Sequence, residues 1–142
     1  MASLLSVVAC SRGKHSDTGL LVCDSTEGLQ TLEDGSGLPV PELLSTPFLL
    51  GVASGAPLQD RVILWTRLYM DHSAEDGLGG FGREPVPVRW EIAVDEGFQQ
   101  LAGEGTVATR SELAHAVHID AGGLEPDSWY HYRFHVGDWT SP

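Results

Sequence analysis

The chain has 142 residues, of which 20 are acidic and 8 are Lys or Arg, for a formal net charge of −12. A surface of that sign repels phosphate backbones and anionic lipid, so nucleic acid is not an expected partner. The length suits one small domain plus a tail, and 17 Gly and 8 Pro beside 4 Trp, 4 Phe and 3 Tyr suit a β-rich domain with many turns.

Residues 1–46 are rich in Ser, Thr, Gly and Asp and keep no period of 2 or 3.6, which reads as a disordered leader or linker. The opening "MASLLSVVAC" is apolar and short, and Val7-Val8-Ala9-Cys10 fits the pattern before a lipid-modified cysteine. No Lys or Arg precedes that run, although a secretory start needs positive charge. Three readings stay open: a lipoprotein signal, a degenerate signal leader, and an ordinary cytosolic start. The degenerate leader fits best. Cys10, His15 and Cys23 match no standard zinc spacing, and two cysteines make no disulfide framework. No apolar run reaches the roughly 18 residues of a membrane-spanning helix.

The domain proper is placed at residues 47–142, where strands and turns take over. "FLLGVASG" and "RVILWTRL" are short strands around the turn "APLQD". Residues 71–85 form a long loop of Gly and acid. In "VPVRWEIAVD", Val88, Trp90, Ile92 and Val94 share one face and Arg89 and Glu91 the other, so one face is expected buried and the other wet. Further strands lie around residues 105–109, in "AHAVHID" and in "WYHYRFHV". Six short strands separated by turn signals, without a convincing helix, indicate an all-β antiparallel sandwich.

"GLEPDSWYHYRFHV" makes that assignment more specific. Leu124, Pro126 and Tyr130 have the L-x-P-x-x-x-Y spacing of the tyrosine corner in immunoglobulin-like and fibronectin type III-like sandwiches. Leu124 is expected to plug the core, Pro126 to fix the turn, and the Tyr130 hydroxyl to bond back to the chain. Tyr132, Phe134 and Val136 then step inward by twos, opposite His131, Arg133 and His135.

The sequence assigns no catalytic, cofactor-binding or metal-ligating residue. His115 and His118 are three apart on a strand and face opposite sides. His131 and His135 share a face but sit about 13 Å apart. All four read as surface histidines. "GVASG" places Ser54 one position late for a nucleophile elbow. "GLGGFG" lacks the strand and helix that frame a nucleotide loop. Trp90 faces inward, Trp65 lies on a strand whose two faces are both apolar, and Trp129 is expected to cap the sandwich end. These tryptophans suit core or interdomain packing better than a carbohydrate platform.

The blocks "LGVASG", "VILWTRL", "VRWEIAVD" and "GLEPDSWYHYRF", in that order, resemble the N-terminal domain of PhoD-like alkaline phosphatases, also described as the alkaline phosphatase D or phospholipase D family. The resemblance covers residues 47–142. It implies a fibronectin-like sandwich ahead of a larger metallophosphatase domain that hydrolyses phosphate esters with iron and calcium. None of that domain's ligands maps onto this sequence, so the chain is expected to be a non-catalytic accessory domain without cofactor, whose partner is the missing catalytic domain. A free-standing fibronectin-like adhesion or ligand-binding module is the alternative. Exported members commonly carry a twin-arginine signal, and residues 1–46 hold no Arg-Arg pair. The chain is further expected to lack most or all of its last sandwich strand. That would leave an open edge on "YHYRFHV" prone to self-association.

Overall fold

A computed structural model describes residues 35–142. The readings at Cys10, His15 and Cys23, and of any signal segment, lie outside the described residues.

Among the described residues the strands are β1 (Val52–Gly55), β2 (Arg61–Arg67), β3 (Pro87–Ala93), β4 (Leu101–Ala108), β5 (Ala116–Gly122), β6 (His131–Val136) and β7 (Trp139–Thr140). They form two antiparallel sheets, one ordered β1-β2-β5 and the other β4-β3-β6-β7. A 3-10 turn at Ser111–Leu113 is the helical element among them. The described residues therefore form an all-β sandwich.

Side-chain parity builds the core. On β5, Val117, Ile119 and Ala121 are buried while His118, Asp120 and Gly122 are exposed, the period-2 pattern of a sheet wet on one side. Leu64 and Thr66 of β2 face them in the same layer, and Val88, Ile92, Phe134 and Val136 fill the layer opposite. Thr66 is fully buried, and its hydroxyl donates to the Gly51 carbonyl at 3.0 Å, so the polar atom is satisfied.

Trp90 sits on this inner face beside β4 and explains two glycines there. Its register partner is Gly105. A Cβ on Gly105 would come 2.8 Å from Trp90 Nε1, and one on Gly103 3.3 Å from Ile92 Cγ2. Glycine weakens a strand on its own account, but here it makes room for an indole.

The structure corrects several expectations. The sandwich begins before residue 47: Gly35 N–H donates to the Thr106 carbonyl at 3.4 Å, and Trp139 Nε1–H to the Leu43 carbonyl at 3.4 Å. Gly35 lies so close to β4 that a Cβ would stand 2.7 Å from the Val107 carbonyl carbon. The last strand is present as the two-residue β7, and beyond it Ser141 N–H donates to Phe134 O at 2.9 Å while Ser141 Oγ accepts from Phe134 N–H at 3.0 Å. The edge of β6 is thus covered from Phe134 to Val136. Val94 is 49% exposed, not inward, because the register shifts between Ile92 and Ala93 and breaks the alternation.

Replacing Gly105 by Val forces the Trp90 ring out of its place over β4. Gly105→Val is expected to cost about 1–3 kcal/mol, the usual penalty of overpacking. Urea unfolding checks this, and an unchanged midpoint would mean that Trp90 is not confined there.

Candidate functional site

The outer face of the four-stranded sheet carries a charged cluster that parity alone had placed in water. Glu91, on the central strand β3, is only 4% exposed. Its register partners are Glu104 on β4 and Arg133 on β6. Arg133 Nε donates to Glu91 Oε2 at 2.6 Å, Arg89 Nη2 lies 2.6 Å from Oε1, and His135 Nε2 is 3.2 Å from Oε2. Arg89 also reaches Glu104 at 2.9 Å. The carboxylate only accepts, so His135 Nε2 carries the proton, and Nδ1 meets Thr140 Oγ1 at 3.1 Å. The long cationic side chains lie over the acid and exclude water from it. Arg133 itself stacks 3.8 Å from the centre of the Phe98 ring.

Burial pushes the Glu91 carboxyl up. The hydrogen bonds from Arg133 and His135, with the charges of Arg133 and Arg89, outweigh that and hold it below the usual carboxylate range. No sequence period reports such a site. Its signal is the shared parity of Arg89 and Glu91 on one strand and Arg133 and His135 on another, which converge only once the β3–β6 register is known.

His115 departs from the surface expectation more sharply, since it is fully buried. Its Nε2 lies 2.8 Å from the Gly82 carbonyl, which can only accept, so that nitrogen bears the proton. Nδ1 therefore accepts from Thr109 Oγ1–H at 2.8 Å, and Thr109 Oγ1 accepts in turn from Val86 N–H at 3.0 Å. Phe81 packs on the ring at 5.4 Å between centroids. The imidazole is spent on tying the long loop to the β4–β5 connection. His118 is outward and meets Trp65 edge-on at 6.4 Å, and burial pushes its pKa below the ordinary value.

The residues singled out from the sequence do not converge on one point. Trp65 lies outward on β2, between Ala53 of β1 and His118 of β5. Trp90 packs inward, on the other sheet. Leu124, Pro126 and Tyr130 come together at the turn before β6. Leu124 is 9% exposed and its N–H donates to Asp60 O at 2.9 Å. Pro126 is exposed. Tyr130 Oη accepts from Glu125 N–H at 2.8 Å. Trp129, beside it, does not cap the sandwich: it is 92% exposed. A groove of about 460 Å³ runs between Trp129 and Leu58 and reaches Leu64 and Ile92.

Among the described residues no group of three His, Cys, Asp or Glu side chains is placed to hold a metal ion. Every buried side-chain nitrogen or oxygen described has a partner, so none is left waiting for a ligand. What the surfaces offer is packing area and charge.

Two outcomes follow from the hydrogen bonds. Glu91 has a folded pKa below its unfolded value of about 4.3, so its stabilisation is complete above that value and is lost as pH falls through the folded pKa. Glu91→Gln is expected to cost about 1–3 kcal/mol at neutral pH, and the gap from wild type should close on acidification below about pH 4. A gap that is constant with pH overturns the assignment. Tyr130→Phe keeps the ring and loses one bond to an exposed N–H. The expected cost is about 0.5–1.5 kcal/mol by thermal melt, and no change in melting temperature would deny the bond a structural role.

Residues 36–142 match the family described as "PhoD-like phosphatase, N-terminal domain". Alkaline phosphatase D of Bacillus subtilis (strain 168) is 50% identical over 104 residues, which are 72% of this chain and 17% of that protein. A solved structure described as "Structure of PhoD" aligns with a TM-score of 0.67 at 49% identity, over 72% of this chain and 19% of that one. The chain thus spans less than a fifth of the length of either relative. With residues 36–142 covered, this chain belongs to the family of PhoD-like phosphatase N-terminal domains.

Proposed function

We propose that the chain acts as a non-catalytic accessory domain, a fragment relative to its family, that packs on a PhoD-like phosphatase domain and supports its cleft. The observation that carries this reading is the extent of the match. It falls on a domain named as N-terminal, and it covers 17% of a relative named alkaline phosphatase D. The chemistry of phosphate ester hydrolysis, with iron and calcium, is assigned to the remainder of such a protein.

The internal chemistry agrees. Glu91 is committed to two arginines and a histidine, and His115 to a carbonyl and a hydroxyl. Groups so engaged are poor candidates for proton transfer, which needs a base free to reach its substrate. The fibronectin type III reading belongs to the same proposal and is supported by the strand order and by the Tyr130 bond to Glu125.

Purified chain given an aryl phosphate or a bis-aryl phosphate, with iron and calcium added, is expected to match the buffer blank. Turnover that follows the protein through purification and disappears on chelation overturns the proposal.

A further inference from the structure

We propose that the end of the sandwich bearing Leu58 and Trp129 is the surface that docks the chain following this domain in a PhoD-like phosphatase, and that the docked surface has an apolar centre and a basic rim. This rests on the accessory-domain reading and adds the place of contact to it.

Exposure is the first reason. Trp129 is 92% exposed and Leu58 68%, and both line the same groove. An indole held in water loses the contacts that usually make Trp an anchor of interfaces. The turn that carries it is braced. Tyr130 accepts from Glu125 N–H, and Ser128 Oγ donates to the Pro126 carbonyl at 3.1 Å, within the same turn. Docking on a braced turn spares the backbone part of the ordering entropy.

The floor of the groove is the second. Leu64 and Ile92, each 1% exposed, line it from the two sheets. The core therefore lies directly beneath the groove at this end. An apolar side chain inserted between Leu58 and Trp129 would extend the core of the domain.

The rim gives the chemistry of the partner. Arg61 on this rim is matched by Asp60 at 3.3 Å and Asp120 at 3.0 Å. Glu125 and Asp127 are exposed beside it. The rim is net acidic, as is the chain at −12, so a complementary surface is basic.

Strand direction names the occupant. β6 leads away from this end, and β7, antiparallel to it, returns. Pro142 lines a second groove, of about 480 Å³, which shares Tyr130 and Tyr132 with the first. A chain continuing from Pro142 in a longer relative would start at this end, beside Tyr130 and Tyr132. The opposite end exposes Leu113, at 44%, near a smaller groove of about 370 Å³ lined by Arg83, Arg110 and Glu112, and so it serves as the control.

The experiment grafts residues 36–142 in place of the matched 104 residues of the Bacillus subtilis relative and compares this chimera with the 142-residue chain by hydrogen exchange and calorimetry. Exchange around residues 57–60 and 124–130 is expected to slow about tenfold or more in the chimera, with residues 111–114 unchanged. The chimera should unfold in one transition. Trp129→Ser with Leu58→Ser should split it in two, and Leu113→Ser should not. If the chimera unfolds as one unit but the protection falls elsewhere, or the double variant is silent, the docking end is wrong and the accessory reading stands. If the two domains melt independently without slowed exchange, both fail. A chimera with no phosphatase activity, while the 142-residue chain still folds, also counts against both.

Discussion

Glu91 is the point to which all four strands of one sheet are tied. Arg133 and His135 reach it from β6, and Arg89 reaches it along β3. Arg89 passes the link to Glu104 on β4, and His135 passes it to Thr140 on β7. A carboxylate out of water is costly unless its charge is met and its lone pairs are filled, and here both conditions hold. The same group that would wreck the sheet if unpaired thus fixes its register: a slip of one residue would turn Glu91 into the core and leave the cations facing water. Removing the acid would leave the arginines half-exposed and the β6–β7 link without its anchor.

That cluster shows where sequence reasoning stops. The inward positions of β3 as far as Ile92 and those on β6 could be read from single residues, because parity is a local property. The L-x-P-x-x-x-Y spacing of Leu124, Pro126 and Tyr130 could be read for the same reason. Burial of Glu91 could not, because it depends on which residues stand opposite across two ladders. His115 was missed differently. It and Ala114 both take positive φ, 55° and 50°, so strand parity does not carry back through them. The ring lands under the long loop instead of on the sheet face.

The domain start was hidden by composition. Residues 35–46 are rich in Ser, Pro and Gly and carry no period, which is also how a linker reads. What holds them is backbone contact: Gly35 against β4, and the Leu43 carbonyl under Trp139. Neither leaves a pattern along the chain. The two-residue β7 is short enough to escape any periodicity test, yet Ser141 gives Phe134 both a donor and an acceptor. An edge expected open for want of a last strand is therefore partly closed by one serine.

The two ends of the sandwich now differ in a way that bears on role. At one end His115, Thr109 and Phe81 close the gap between loop and sheets, and the polar groups are consumed internally. At the other, Tyr130 braces the turn but leaves Trp129 outside, on a groove it shares with Leu58 directly above the core. A domain that seals one end and presents an aromatic side chain on a fixed turn at the other is asymmetric in what it offers a neighbour. With Glu91 and His115 committed to its own sheet and loop, the contribution this end makes under the proposed accessory role is shape: a surface with an apolar centre and an acidic margin. That is the contribution expected of a domain whose relatives carry most of their length elsewhere.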